Sequence, residues 1–249
     1  MRPGAAPHPG GVRDAWLDLV QGGCCVGCGH PGRSLCRTCR DALPDVARAV
    51  RPTPCPDGLA PCLAAGEYAD LLRALVVAHK ERSVYALVDP LAHCLATALE
   101  PVVATGATGP ATTVLVPVPS TPSVVRARGH DPVLRMARLA SRRLRRRTGA
   151  AVEVHRLLVQ RLPVADQAGL GSAERARNRD GSMAVRASAR ARLAARRTPV
   201  TVVLVDDVLT TGTTAREAQR ALEEGGVPVR AVAVVAATRR RRAPRPGPA

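Results

Sequence analysis

The chain has 249 residues, 46% of them apolar, with a mean hydropathy of −0.02. That is long enough for one sizeable core with a small appendage and too apolar for a disordered polymer. The balance of 37 basic to 20 acidic residues gives a formal charge of +17, which favours nucleotides, phosphates or nucleic acid as partners. Lys80 is the only lysine, and the arginine-rich remainder also fits the mutational bias of a GC-rich genome.

Residues 1–23, rich in Pro and Gly at the start, lack the apolar core of a secretory signal and read as a disordered lead. No apolar run approaches the roughly 20 residues that span a bilayer, so the expectation is a cytoplasmic protein without membrane insertion. In that reducing setting the eight cysteines suggest metal ligands or core residues rather than disulfides. Cys25-x2-Cys28 and Cys36-x2-Cys39, with glycines at 27, 29 and 32 for tight turns, define a module at 24–45. Four thiolates at this spacing suit tetrahedral Zn²⁺, which would supply the folding energy a segment this small lacks. Redox pairing is the alternative, and Cys24 or His30 could replace a ligand. Cys55, Cys62 and Cys94 have no such spacing and read as linker or core residues.

The Pro-rich stretch within 46–66 reads as a linker, 67–238 as the main domain, and 239–249, "RRRRAPRPGPA", as a basic disordered tail. In the main domain Leu72, Leu75, Val76 and His79 share one helical face, and a second helix follows with Pro90 in its first turn. "TTVLVPV" at 112–118 suits a buried parallel strand. Asp131 and Pro132 form a helix start, and Val133, Met136, Ala137, Ala140 and Leu144 make its apolar stripe. "AVEVHRLLV" reads as a strand, and the polar 160–183 segment as a loop over a site. A strand at 201–205, a Thr/Gly loop, a helix with Ala215, Ala218 and Leu222 ending at Gly225, and a strand "VRAVAVVAA" complete the domain. Alternating strands and helices predict an α/β fold with a doubly wound parallel sheet.

The stretch "VVLVDDVLTTGTT" carries the chemistry. Ligands of open α/β sheets sit beyond the carboxyl ends of the strands, where a helix start offers N–H groups and a positive dipole end. Thr210, Thr211, Gly212, Thr213 and Thr214 can wrap a phosphomonoester, with Gly212 permitting the turn. Asp206 and Asp207 cannot bind phosphate but can accept hydrogen bonds from sugar hydroxyls. Together they describe a ribose 5-phosphate site. An ATPase would need a GxxxxGK[ST] loop, and the lone lysine lies in "AHKER"; a phosphatase DxD would need an acid at Val208.

This stretch resembles the phosphoribosyl-diphosphate (PRPP) motif of type I phosphoribosyltransferases. "VPVPS" at 116–120, "RARGHDPVLRMARLA" at 126–140 and "DQAGLGSAERARN" at 166–178 resemble the ComF family of competence-associated proteins, in which a four-cysteine module precedes a transferase-like domain. The resemblance spans residues 24 to about 237 and implies a fold of the type I phosphoribosyltransferase kind. It implies that Asp206 and Asp207 hold the ribose hydroxyls, that 210–214 hold the 5-phosphate, and that Val118, Pro119 and Ser120 form the pyrophosphate loop. Arg126 and Arg128 are candidates for the pyrophosphate, with Mg²⁺ at the leaving oxygens. Lys80 matches a lysine the family places after its first helix, and Gln167, Leu170, Arg175 and Asn178 fit a substrate hood. The family often has an aromatic residue and then Asn where this chain has His130 and Asp131.

Two functions follow. One is a Mg²⁺-dependent phosphoribosyltransferase using PRPP with an unidentified acceptor, with Asp206, Asp207, Lys80 and Arg128 as candidate catalytic residues. The other is a ComF-like factor that binds single-stranded DNA beside DNA-uptake proteins, using nine arginines between 126 and 147 and the basic tail. One Trp, two Tyr and no Phe favour the first, because single-strand binders usually stack bases on aromatic rings.

Overall fold

Val202, Val203, Leu204 and Val205 are all buried, and the alternation of strand side chains explains why. Val203 and Val205 point into one core, Val202 and Leu204 into another on the opposite face. Ala231, Ala233 and Val235 against Val232 and Val234 divide in the same way, as does Leu115 against Val114 and Val116. Strands covered on both faces are continuously apolar, as a parallel sheet between helical layers requires.

A computed structural model describes residues 23–106, 111–161 and 181–238. Its six-stranded sheet contains β1 (Arg48–Val50), β2 (Cys62–Glu67), β3 (Thr112–Pro117), β4 (Val152–Val154), β7 (Val200–Leu209) and β8 (Ala231–Ala237), in the order β1-β2-β8-β7-β3-β4. All neighbours are parallel except β1 with β2. β5 (Leu158–Gln160) and β6 (Met183–Val185) form a separate antiparallel pair. The fold is α/β with a mostly parallel mixed sheet, consistent with the type I phosphoribosyltransferase kind.

One face is covered by α2 (Asp70–Glu81), α3 (Val88–Gly106), α5 (Pro132–Thr148) and the cysteine module with α1 (Arg37–Asp41). The other carries α6 (Ala187–Ala194), α7 (Thr213–Glu224) and the β5–β6 pair. The short α4 (Pro122–Arg128) follows β3. α5 starts as its sequence predicts: the Asp131 carboxylate accepts from Leu134 N–H at 3.0 Å, Pro132 occupies the first turn, and the Val133-to-Leu144 stripe is buried.

Several elements differ from the sequence reading. β1 and all but the last residue of β2 lie within the Pro-rich 46–66 stretch read as a linker: its prolines stand between the two strands and not inside them. "AVEVHRLLV" divides into β4 and β5, which join different sheets. The 201–205 strand extends to Leu209, because Asp206, Val208 and Leu209 pair with Val234, Ala236 and Ala237. A helical stretch of 21 residues, Tyr85–Thr105, has mean hydropathy 1.3 and is, among the described residues, the one long and apolar enough to cross a membrane. Asp89, Pro90, Glu100 and Pro101 interrupt its apolar run without ending the helix, which is why the sequence shows no uninterrupted run of that length. Most of this stretch is buried inside the protein. The hood candidates Gln167, Leu170, Arg175 and Asn178, residues 1–22 of the lead and the 239–249 tail lie outside the described residues.

Candidate active site and metal centre

The sheet order fixes where a ligand can sit. The chain passes from β3 outward to β4, then returns to place β7 on the other side of β3 and β8 beyond it. The switch point is therefore between β3 and β7, whose carboxyl ends lie side by side with Pro117 opposite Val205. The 118–121 turn and the 210–212 loop both leave from this crevice. Val118 N–H donates to Val205 O at 2.9 Å, and the Gln160 amide donates to Pro119 O at 3.2 Å, so β5 buttresses the turn that holds Ser120.

Alternation along β7 sends Asp206 towards the α7 face and Asp207 towards the α2 face. Asp207 is 7% exposed, and its carboxylate meets Lys80 Nζ at 2.9 Å. α2 therefore crosses the carboxyl ends of the strands before α3 makes the return. Burial works against the Lys80 ammonium, but the Asp207 carboxylate outweighs it and holds the group above its ordinary pKa. Asp206 is half-buried and accepts Asp207 N–H at 2.8 Å. Burial raises its carboxyl well above the usual carboxylate range; the Asp207 charge adds to this, while that N–H and Lys80 oppose it.

Gly212 caps α7 in the left-handed conformation at φ +74°. Beyond it, the free N–H groups of the first turn lie at the positive end of the α7 dipole. Thr211 and Thr213 hydroxyls lie 3.0 Å apart, and Thr210 and Thr211 are exposed. Thr238 steadies the loop from β8, its N–H donating to Leu209 O at 3.0 Å and its hydroxyl to Thr210 O at 3.4 Å.

Two supports of this loop had no sequence signal. Residues 52–60 form a strap over Gly212: a Cβ there would stand 2.9 Å from Pro52 Cγ and 3.0 Å from Leu59 Cδ2. The buried Gln219 of α7 ties the strap down, accepting Ala60 N–H and donating to Gly58 O, both at 2.8 Å, and Arg216 donates to Asp57 O at 2.9 Å. The buried Glu217 holds β6, accepting Met183 N–H at 2.9 Å and two hydrogen bonds from Arg220 at 2.6 and 2.8 Å. These partners are 34 or more residues away except Arg220, and a helical wheel does not show them.

Arg128 ends α4 and pairs with Glu81 at 3.0 Å, with its side chain 18% exposed. Glu81 follows Lys80 on α2, so this ion pair brings Arg128 to the end of the helix that carries Lys80. Arg126, two residues earlier on α4, is exposed.

In the N-terminal module the sulfurs of Cys25, Cys28, Cys36 and Cys39 all lie within 4.8 Å of one another. A tetrahedral ion with metal–sulfur bonds of about 2.3 Å sets sulfurs roughly 3.8 Å apart, and Cys28 and Cys36 Sγ are 3.6 Å apart. Cys36 N–H points at Cys25 Sγ at 3.3 Å and Cys39 N–H at Cys36 Sγ at 3.5 Å, orienting the thiolates. Burial disfavours charge on Cys25, but N–H donors from Cys36, Cys28 and Gly27 bring it down to about 6. Burial and the other three sulfurs push Cys39 up to about 12. Four sulfurs this close together are a donor set that a cation such as Zn²⁺ could hold as thiolates. Cys24 and His30 are not part of the cluster.

The module is built into the larger core. Cys25, Leu35 and Leu43 are buried in the same cluster as Leu72, Leu75 and Leu91. Gly27 lies so close to α2 that a Cβ would stand 2.6 Å from Leu71 Cδ1 and 2.9 Å from Cys39 Sγ. Arg40 of α1 reaches Asp89 of α3 at 3.0 Å, and Arg143 of α5 bonds the same carboxylate.

Residues 149–248 match the family model of the phosphoribosyl transferase domain. The matched span takes in both aspartates, the 210–214 loop and α7; Lys80, the 118–120 turn, Arg126 and Arg128 precede it. No curated protein matches the chain.

Proposed function

We propose that the chain is a phosphoribosyltransferase that binds PRPP at the β3–β7 crevice and transfers its phosphoribosyl group to a nucleobase-like acceptor. The observation that carries this reading is the continuous β7–loop–α7 unit inside the matched domain, with two aspartates at the strand end and a glycine-capped helix start beside them. Asp206 and Asp207 accept hydrogen bonds from the ribose hydroxyls, and Thr210–Thr214 hold the 5-phosphate. The Val118–Pro119–Ser120 turn, Arg126 and Arg128 face the diphosphate.

In the reaction the bond between the anomeric carbon and the diphosphate oxygen breaks, pyrophosphate leaves with the bonding pair, and an acceptor nitrogen forms the new bond and gives up its proton. Positive charge develops on the ribose ring, so carboxylates beneath the hydroxyls and cations at the leaving oxygens both lower the barrier. Among the described residues the only cluster suited to hold a metal is the cysteine group. Mg²⁺ carried on the diphosphate, as this ion usually is, would neutralise the leaving group. The family resemblance assigns Gln167 and Arg175 to a hood that would keep water from the reactive carbon.

The cysteine centre holds structural Zn²⁺, and the chain works in a reducing cytoplasm. The test is pyrophosphate release from PRPP and Mg²⁺ across a panel of nucleobases. Release with at least one base, lost in Asp206→Asn/Asp207→Asn, is the expected result; no release with any base removes the transferase reading.

A second reading rests on α5, where Arg138, Arg142, Arg145 and Arg146 are exposed along one side of the helix. Single-stranded DNA held there would be released steeply by salt, whereas PRPP in a pocket would respond weakly.

A further inference from the structure

The carbonyl of Arg128 accepts two side-chain hydrogen bonds, from Tyr85 Oη at 3.3 Å and from His130 Nδ1 at 3.0 Å. Arg128 is the last residue of a seven-residue helix, where carbonyls lack intrahelical partners, and the Gly129 cap bonds Arg126 O instead. A carbonyl acceptor requires the His130 proton on Nδ1. The His130 ring stands edge-on to Tyr85 with centroids 4.7 Å apart and lies 5.6 Å from the buried His79, while the Arg135 guanidinium covers Tyr85 at 5.3 Å. His79 is held by Val84 O at 3.2 Å and directly precedes Lys80. The Nε2 atoms of His79 and His130 are buried without a hydrogen-bond partner among the described residues, an arrangement that costs stability and calls for a reason.

The cluster joins the end of α2, which carries Lys80 and Glu81, to the end of α4, which carries Arg128. α4 is barely two turns long, and its far end is not part of the sheet. Without the two donors the Arg128 backbone would be free to swing, and a shift of about 1 Å is enough to spoil a charge-assisted contact to a phosphate oxygen.

We propose that Tyr85 and His130 are positioning residues that hold Arg128 for the diphosphate of the sugar substrate. This rests on the PRPP reading above. The ribose 5-phosphate half of the substrate lies over β7 and α7, so the two residues act on one half of the ligand alone. This separates positioning from general stability, because a loosened fold would weaken both halves.

The experiment titrates PRPP with Mg²⁺ and, separately, ribose 5-phosphate into the wild-type chain and into Tyr85→Phe, His130→Phe and His130→Gln. Removing one neutral hydrogen bond predicts a loss of PRPP affinity of about 5-fold in each phenylalanine variant. Ribose 5-phosphate affinity is expected to be unchanged, and His130→Gln, whose amide can donate to the same carbonyl, to recover most of the loss. In an Arg128→Ala background, Tyr85→Phe has no further effect on PRPP. Wild-type PRPP affinity in Tyr85→Phe and His130→Phe, equal losses for both ligands, or additive losses with Arg128→Ala overturn the positioning role alone. A wild-type chain that binds neither ligand overturns the sugar-phosphate reading itself, and the positioning role with it.

Discussion

Asp206→Asn and Asp207→Asn each lower PRPP affinity on the order of 10²-fold, the worth of hydrogen bonds to an ionised acceptor, yet move stability in opposite directions. The Asp206 carboxyl is raised by burial and by the Asp207 charge beside it. A carboxyl raised in the fold supports stability below the ordinary carboxylate range and loses that support as pH rises through its folded value. Asp206→Asn removes this pH-dependent loss, so at pH values above the ordinary carboxylate range it raises the unfolding midpoint and flattens the midpoint's decline with rising pH. Asp207→Asn instead strips Lys80 of the carboxylate 2.9 Å away. Because the lysine side chain is 36% exposed, water recovers much of that loss, and stability falls by about 1 kcal/mol or less. Calorimetric titration and thermal unfolding of both variants check the pair of outcomes. Unchanged PRPP affinity in either variant contradicts the assigned site, and a lowered midpoint in Asp206→Asn contradicts the electrostatic account.

Removing the metal has the larger effect on the fold. Structural zinc contributes roughly 10–16 kcal/mol in isolated fingers at neutral pH, and here the ligands sit on a shared core. Cys25 is 2% exposed among Leu35, Leu72 and Leu75, and Gly27 abuts Leu71 of α2. Chelation therefore lowers the unfolding midpoint of the whole chain by more than 10 °C in one transition, without releasing a separate small module. Cys25→Ser is more damaging than Cys28→Ser, because Cys28 is exposed and water can reach the serine that replaces it. Metal analysis with calorimetric unfolding checks this; an unchanged midpoint after verified metal loss contradicts a structural centre.

The sequence announced the β7–loop–α7 unit because every signal in it is local: an apolar strand, adjacent acids, a glycine turn and a helix with its apolar stripe. The cysteine centre was legible for the same reason, since both halves of the ligand set lie within 15 residues. Lys80 drew notice as the lone lysine and by family resemblance, but its partner Asp207 is 127 residues away and depends on α2 crossing the strand ends. The strap at 52–60 was hidden by its prolines, which read as a linker although they pack against Gly212. Gln219 and Glu217 look like ordinary polar helix residues until the fold brings Ala60 and Met183 to them. Tyr85 and His130 meet at the Arg128 carbonyl only after two helix ends converge.

The central claim is that a phosphorylated ribose sits over the carboxyl end of β7. A crystal structure of the zinc-loaded chain with ribose 5-phosphate tests it most directly. The account predicts the phosphate on the 210–214 backbone at the start of α7, with the ribose hydroxyls on Asp206 and Asp207. A sugar phosphate bound elsewhere, or a crevice empty at saturating ligand, would contradict it.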